Sequence, residues 1–189
     1  MDTHSEPLDN PQIAAIARRI TRPIVLVGLM GVGKSTVGRK LAELSQRSFI
    51  DADTAIEEAA QLSVAEIFEK HGEAVFRDGE RRVIARLIEE GHGVIATGGG
   101  AFVDPETRAL ILEKAIGVWI DCDIETLVER TSRRNTRPLL KQGDPAEILT
   151  RLHTERAPLY GEAPVRIVSK NGPHAETATM ILEAIDRWL

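Results

Sequence analysis

The chain has 189 residues, of which 42% are hydrophobic and 28% charged, a composition typical of a single folded domain with a sizeable core. Its net charge of −5 argues against a nucleic-acid partner held by the overall field of the protein, so an anionic ligand must meet a local cluster of Arg or Lys. One cysteine, Cys122, excludes an internal disulfide. The sequence lacks a signal-peptide pattern and an apolar run of about 18 residues, which predicts a cytoplasmic protein outside the membrane.

Secondary structure is predicted from the spacing of apolar residues. The N-terminal extension, residues 1–20, is predicted to be partly disordered, with a short helix over 11–20. Apolar runs then predict five strands buried on both faces, over 23–28, 48–53, 93–100, 117–123 and 165–169. Helices are predicted over 34–45, 54–60, 63–71, 73–90, 105–114, 124–133, 145–160 and 174–188. This alternation predicts a three-layer α/β fold, a parallel sheet flanked by helices.

Two stretches interrupt the alternation. Residues 54–92 are too long for one crossover helix and predict a small helical insert. Residues 131–145, "TSRRNTRPLLKQGDP", are polar and basic and contain Gly and Pro, which predicts a mobile segment between two helices. Since no internal linker or repeat is present, residues 21–189 are predicted to form one domain.

The first motif is "GLMGVGKS", residues 28–35, which fits the phosphate-binding P-loop pattern G-x-x-x-x-G-K-[ST] between a predicted strand and a predicted helix. Its glycines allow a tight turn in which successive backbone N–H groups face a nucleotide phosphate. The predicted nucleotide-binding residues here are Gly31, Val32, Gly33, Lys34, Ser35 and Thr36. Lys34 would bridge the β- and γ-phosphates, and Ser35 would hold Mg²⁺.

The second motif is "FIDAD", which ends the second predicted strand. Because ligands gather at the carboxyl ends of parallel strands, Asp51 and Asp53 are candidates for two jobs. One acid would hold Mg²⁺ through water, and the other would accept a hydrogen bond from a substrate hydroxyl. The alternative is a solvated strand end in which Asp53 caps the following helix.

Two further motifs follow. In "FRDGE", helical spacing puts Arg77 and Glu80 on one face, although taken alone the pair is better explained as a surface ion pair. Three glycines, residues 98–100, directly follow the third predicted strand. Without side chains they allow a ligand to approach the backbone closely, and the alternative is a plain flexible turn.

The last two motifs are basic. The segment 130–137 contains Arg130, Arg133, Arg134 and Arg137, and an arginine brought in by a closing segment would stabilise a transferring phosphoryl group. Arg133 and Arg134 themselves are predicted to form a solvated basic face. In "RAPLY", Arg156 could grip a carboxylate with two hydrogen bonds, although taken alone it predicts only an exposed helix end.

Taken together and in order from Pro23 to the C-terminus, these motifs resemble those of the shikimate kinases, small P-loop kinases that transfer the γ-phosphoryl group of ATP to the 3-hydroxyl of shikimate. The resemblance rests on "GLMGVGKSTVGR", "FIDAD", "IFEKHGEAVFRDGE", "GGG", "RPLL" and "RAPLY". It implies a P-loop NTPase fold with strand order 2-3-1-4-5, a substrate-binding insert at 54–92 and a lid at 131–145. It also implies Mg²⁺ as the cofactor, shikimate and ATP as the small-molecule partners, and a monomer.

The resemblance also implies a role for each matching residue. Asp51 supports Mg²⁺ together with Ser35, and Asp53 hydrogen-bonds the reacting hydroxyl and acts as its base. Arg77 and Arg156 hold the shikimate carboxylate, Glu80 orders Arg77, and Gly99 and Gly100 donate from the backbone nearby. Lys34 and Arg137 complete the catalytic set, and Arg130 and Pro173 lie beside the adenine. One departure is Asn171, where the family often has an arginine near the adenine.

Three other functions remain as alternatives. A gluconate kinase on the same scaffold would also phosphorylate a hydroxylated carboxylate. A GTPase switch would need an N-K-x-D motif, for which "SKNG" is a poor substitute. A catalytically silent homologue would be expected to have lost Lys34, Asp53 or Arg137, and all three residues are present.

Overall fold

The computed structural model describes residues 8–133, 140 and 142–189. Its centre is one sheet of five parallel strands in the order β2-β3-β1-β4-β5, which confirms the predicted fold class and strand order. The strands are β1 (Ile24–Val27), β2 (Phe49–Asp51), β3 (Val94–Ala96), β4 (Ile116–Asp121) and β5 (Val165–Val168). Non-consecutive neighbours such as β1 and β3 are joined by helical crossovers, as a parallel sheet requires.

Helices separate the strands along the chain. They are α1 (Asn10–Arg19), α2 (Lys34–Ser45), α3 (Ala52–Ala60), α4 (Val64–Glu89), α5 (Pro105–Lys114), α6 (Ile124–Ser132), α7 (Pro145–Tyr160) and α8 (His174–Trp188). Most of these helices begin after an N-cap Asp or Ser whose side-chain oxygen accepts a hydrogen bond from the first turn. Ser63, for example, accepts from the backbone N–H of Glu66, whose side chain in turn accepts from the backbone N–H of Ser63.

One boundary differs from the prediction, at the second motif, and one within the insert agrees with it. β2 ends at Asp51, and its carboxylate accepts from the backbone N–H of Asp53 at 3.0 Å, so Asp51 rather than Asp53 caps α3. Asp53 therefore lies in the first turn of α3 and not at the end of a strand. The two helices predicted over 63–71 and 73–90 are confirmed, because α4 is interrupted between them at Gly72, whose φ of 81° and ψ of 172° are not helical.

The core lies on both faces of the central strand. All four residues of β1 are fully buried, and Leu26 pairs with Ala96 of β3 on one side and Val118 of β4 on the other. Such a continuous apolar strand is expected where helices cover both sheet faces. The third predicted strand is shorter than expected, because β3 ends at Ala96 and the glycines 98–100 form the turn that follows.

Part of the N-terminal extension packs on the domain. Ile13, Ile16 and Ile20 of the α1 region are buried, and α1 contacts α8 and α2. Arg19 also forms an ion pair with Asp186 of α8. At the far end of α8, Ile185 is buried, whereas Trp188 is 40% exposed. Within the described residues, no helix is both long enough and apolar enough to cross a bilayer.

Candidate active site

The P-loop joins β1 to α2 at the carboxyl edge of the sheet. Gly28, Gly31 and Gly33 have φ values of 141°, 87° and 95°, which residues with a Cβ rarely adopt. Gly33 is the N-cap of α2 and makes no side-chain cap bond. The first N–H groups of α2 have no intrahelical acceptor, so the loop has the form of an anion site at a helix N-terminus.

Lys34, the first residue of α2, folds back over this loop. Its Nζ donates to the carbonyl oxygens of Gly28 at 2.6 Å and Leu29 at 2.9 Å, and the residue is only 8% exposed. These carbonyls hold the ammonium group directly above the loop. The lysine thus contributes a positive charge at the place where the motif predicts phosphate.

Ser35 and Asp51 bring a hydroxyl and a carboxylate together. The Ser35 Oγ donates to Asp51 Oδ2 at 2.5 Å, which joins the first turn of α2 to the end of β2. Both side chains offer an oxygen atom, the ligand type that Mg²⁺ prefers. Among the described residues, no cluster of three or more His, Cys, Asp or Glu side chains could hold a metal ion by itself. This pair therefore fits a metal that keeps most of its ligands as water and phosphate.

Asp53 lies two residues after Asp51, in the first turn of α3 and beside Gly98. Burial raises the pKa of its carboxyl, Asp51 raises it further, and Lys34 and Arg77 oppose the shift. A Cβ added at Gly98 would lie 3.0 Å from Asp53 Oδ1, so the glycine is what allows the carboxylate this position. Asp53 thus stands between the phosphate loop and the first of the glycines.

Arg77 and Glu80 of α4 form the ion pair that their spacing predicted. Arg77 Nη1 donates to Glu80 Oε1 at 2.7 Å, and Glu80 is only 1% exposed. Burial raises the pKa of Glu80 to about 7, against the lowering effect of Arg77. The Arg77 guanidinium lies directly against Gly100, where an added Cβ would collide with it. Since Glu80 is buried and Arg77 lies at the glycine turn, the pair is not the surface ion pair of the alternative.

Arg156 reaches the same turn from α7. Its Nη1 donates to the carbonyl oxygen of Gly99 at 3.3 Å, and a Cβ added at Gly99 would lie 3.5 Å from that nitrogen. Two arginines from distant elements, Arg77 and Arg156, thus flank the glycines 98–100. The alternative of a merely exposed helix end is wrong for Arg156.

A cavity of about 720 Å³ connects these parts. Its lining combines the P-loop, the acids of the β2–α3 junction, the glycine turn and the loop after β5: Met30, Gly31, Gly33, Lys34, Ser35, Thr36, Asp51, Asp53, Val64, Thr97, Gly98, Gly99, Glu129, Arg130, Arg133, Asn171, Gly172 and His174. Val32 is buried within the loop. Pro173 is the N-cap of α8, between Gly172 and His174.

Arg130 of α6 closes one side of this cavity. It donates to the backbone oxygens of Val32 at 3.2 Å and Lys170 at 3.3 Å, and so connects the P-loop with the loop after β5. Arg133 is exposed and pairs with Glu129 at 2.6 Å, in agreement with a solvated basic face. Arg134 and the predicted catalytic Arg137 lie outside the described residues, as do residues 134–139 and 141 of the predicted lid.

Comparison with known proteins bears directly on this arrangement. The model of the family described as shikimate kinase matches residues 30–186. A shikimate kinase of Novosphingobium aromaticivorans is 57% identical over 193 residues, covering 100% of both chains. The chain belongs to the shikimate kinase family. A shikimate kinase of Rhodopseudomonas palustris is 50% identical over 95% of this chain and 89% of the relative.

Solved structures agree with this membership. A shikimate kinase from Acinetobacter baumannii in complex with shikimate is 38% identical, with a TM-score of 0.83 over 89% of this chain and 96% of that chain. A gluconokinase from Sinorhizobium meliloti, at 19% identity and a TM-score of 0.60, shares the fold alone. As a shikimate kinase family member, the chain is an ATP-dependent phosphotransferase of the P-loop type.

Sequence reasoning missed two side chains in this shikimate kinase family site. The Tyr160 hydroxyl donates to the carbonyl oxygen of Gly99 at 2.5 Å, although the sequence assigned a role only to Arg156 within "RAPLY". His174 lines the cavity beside Gly33, although the sequence assigned it no role. Tyr160 could have been found from its i, i+4 spacing to Arg156, which puts both on one helical face. Nothing in the sequence near His174 signals its position.

Proposed function

We propose that the chain transfers the γ-phosphoryl group of ATP to the 3-hydroxyl of shikimate, giving shikimate 3-phosphate and ADP. The observation that carries this proposal is the position of Asp53 between two kinds of cationic site. On one side lies Lys34 of the P-loop, and on the other lies Arg77 at the glycine turn, and both charges influence the Asp53 carboxyl. A substrate hydroxyl bound at Asp53 would therefore face the phosphate site at Lys34. The carboxylate of the same substrate would reach Arg77 at the glycine turn.

The nucleotide would bind along the P-loop. Its phosphates would meet the first N–H groups of α2, over Gly31 to Thr36, and Lys34 would exchange its carbonyl partners for the β- and γ-phosphates. Arg130 and Pro173 would lie beside the adenine. Asn171 lines the cavity in place of the arginine that the family often has there, so the adenine contacts of this chain differ in that one residue.

Magnesium would be held at Ser35 and Asp51, whose oxygens lie 2.5 Å apart. When bound, Mg²⁺ supplies charge neutralisation on the β- and γ-phosphates. The chain itself contributes two oxygen-bearing side chains in fixed positions, because the N-cap position of Asp51 ties its carboxylate to α3. Asp51 would act through water, as the sequence predicted.

The acceptor would bind at the glycine turn. Its carboxylate would be held by Arg77 and Arg156, with the N–H groups of Gly99 and Gly100 nearby. The net charge of the chain is −5, so this local pair of arginines is what would attract an anionic substrate. Glu80 fixes the Arg77 guanidinium from behind at 2.7 Å and leaves the other side of the guanidinium to the glycines.

In the reaction, the 3-hydroxyl oxygen would attack the γ-phosphorus in line with the departing ADP oxygen. One P–O bond forms, the bond to the β-phosphate oxygen breaks, and the hydroxyl proton passes to Asp53 and then to solvent. Because such transition states are loose, the hydroxyl loses its proton late, and catalysis is mainly positioning and charge stabilisation. Arg137, outside the described residues, is proposed to stabilise the γ-phosphoryl charge.

The decisive test is ADP release with Mg-ATP and shikimate, quinate or gluconate as acceptor. We expect turnover on shikimate alone, and a loss of about 10²- to 10⁴-fold in kcat for Asp53→Asn. Asp78→Asn is the matched control, because the ion pairs of Asp78 among the described residues are with Arg81 and Arg82 on α4. Turnover on gluconate would show that shikimate is not the acceptor. If the chain binds ATP but turns over none of the three acceptors, a catalytically silent homologue is favoured.

Other properties stay predictions from the sequence. We propose a monomer, located in the cytoplasm, whose partners are shikimate and ATP and include neither nucleic acid nor membrane. Light scattering after size exclusion tests the monomer. Closure of the lid, residues 131–145, is proposed to limit turnover, and stopped-flow fluorescence showing closure much faster than kcat would rule this out.

A further inference from the structure

Tyr160 is a buried hydroxyl group at the edge of the proposed acceptor site. It is the last residue of α7 and is 1% exposed. Its hydroxyl lies 2.5 Å from the carbonyl oxygen of Gly99, a residue 61 positions earlier in the chain. One side of the ring packs on Trp119 of β4, with ring centroids 5.9 Å apart. A polar atom so deeply buried must have partners, and those of Tyr160 belong to the site.

The Gly99 carbonyl oxygen also binds Arg156. Tyr160 follows Arg156 by four residues on α7, and the Arg156 Nη1 donates to this oxygen at 3.3 Å. The tyrosine hydroxyl and the guanidinium therefore both donate to one carbonyl oxygen. Burial raises the pKa of Tyr160, so the phenol keeps the proton that it donates to Gly99.

We propose that Tyr160 is a positioning residue for shikimate binding, which fixes Arg156 and the Gly99 peptide relative to each other through one hydroxyl group. This inference rests on the function proposed above. By holding the Gly99 carbonyl, Tyr160 also fixes the direction of the peptide that links Gly99 to Gly100, whose N–H faces away from that carbonyl. By fixing the carbonyl oxygen that Arg156 also binds, it restricts a long side chain that would otherwise sample many rotamers.

The conservative change Tyr160→Phe tests this role. It removes the hydroxyl and leaves the ring that packs on Trp119. We expect KM for shikimate, and its Kd by calorimetry, to rise about 5- to 30-fold, the effect of one buried hydrogen bond. KM for ATP and kcat at saturating shikimate should change by less than about twofold, because the lost hydrogen bond is at the glycine turn, where the acceptor is proposed to bind.

Ser45→Ala is the matched control. The Ser45 hydroxyl is buried and donates to the Leu41 carbonyl at 2.6 Å, at the opposite end of α2 from the P-loop. Its loss removes one buried hydroxyl hydrogen bond without touching the site. An unchanged KM for shikimate in Ser45→Ala, with a raised one in Tyr160→Phe, supports the positioning role. Equal KM changes in both variants would show that lost stability raises KM wherever a buried hydrogen bond is removed, and would contradict the positioning role.

A double-mutant cycle separates positioning from direct contact. If Tyr160 acts through Arg156, adding Tyr160→Phe to Arg156→Ala raises the shikimate KM by less than it does in the wild-type chain. Fully additive effects would contradict the inference. An unchanged KM in Tyr160→Phe would contradict it too, while leaving the proposed function intact. Failure of the wild-type chain to phosphorylate shikimate would instead remove the proposed function itself.

Discussion

Arg77 and Glu80 are joined by a hydrogen bond of 2.7 Å, yet their side chains are 22% and 1% exposed. The arginine lies against Gly100 of the glycine turn, and the glutamate behind it is shut off from water. Asp53 and Asp104 add negative potential at Glu80, so the charged form of this acid is costly in the folded state. Arg77 is thus positioned by Glu80, whose pKa of about 7 means that its protonated and charged forms are both populated at neutral pH.

Glu80 should make stability depend on pH in a direction opposite to that of most carboxylates. Its folded pKa of about 7 lies above the ordinary 4.5, so the folded chain binds the proton more tightly. The contribution of Glu80 to the free energy of unfolding is fully present below pH 4.5 and is lost as the pH rises through 7. The total is on the order of 3 kcal/mol. Urea unfolding between pH 5 and 8 measures it.

The variant Glu80→Gln isolates this contribution, because the amide resembles the protonated acid at every pH. We expect the stability of Glu80→Gln relative to the wild-type chain to improve steadily from pH 5 to pH 8. A difference between the two chains that stays constant over this range would contradict the raised pKa.

Asp51 should control the ionisation of Asp53. Burial is the main cause of the raised pKa of Asp53, and the neighbouring charge of Asp51 is the next. Asp51→Asn removes that charge while asparagine still caps α3. We expect the Asp53 pKa, followed by carbon NMR of its carboxyl, to fall in this variant. Asp78→Asn should leave it unchanged, and an equal fall in both variants would refute the coupling.

Gly100 should be intolerant of any side chain. A Cβ there would collide with the Arg77 guanidinium, so Gly100→Ala must displace the arginine. We expect KM for shikimate to rise about 10- to 100-fold, as misplacement of a binding group does. Gly79→Ala is the control, because nothing lies within 4 Å of its added Cβ in α4. It should leave KM unchanged and stabilise the helix by about 0.5–1 kcal/mol.

Ser35→Ala should weaken the response to magnesium. The variant removes one of the two oxygens that lie 2.5 Å apart and leaves Asp51 without its hydroxyl partner. We expect the Mg²⁺ concentration for half-maximal rate to rise about 10- to 100-fold. Titration of activity with MgCl₂ at fixed ATP measures this, with Ser45→Ala as the control. The same magnesium dependence in Ser35→Ala and wild type would exclude Ser35 as a ligand.

Ile16 should stabilise the domain through α1. The residue is 7% exposed and lies on the face that packs against α8 and α2. Ile16→Ala should lower the free energy of unfolding by about 2–4 kcal/mol. The exposed Ala15 of the same helix offers a control in Ala15→Ser. A loss below about 0.5 kcal/mol in Ile16→Ala would show that α1 is not part of the cooperative unit.

The sequence by itself determined the features that depend on local pattern. Apolar runs set the five strands, and three glycines with Lys34 and Ser35 set the P-loop, because turn chemistry and strand burial act over a few residues. The spacing of Arg77 and Glu80 was enough to predict their ion pair.

Only the tertiary structure decided which groups are buried and which distant groups meet. "FIDAD" could not show that Asp51 caps α3 while Asp53 turns toward Gly98, because that choice depends on where β3 ends. The pKa of Glu80 depends on burial and on Asp104, from another helix. Tyr160 meets Gly99 across 61 residues. Desolvation and long-range hydrogen bonds arise from packing between elements, which no local pattern encodes.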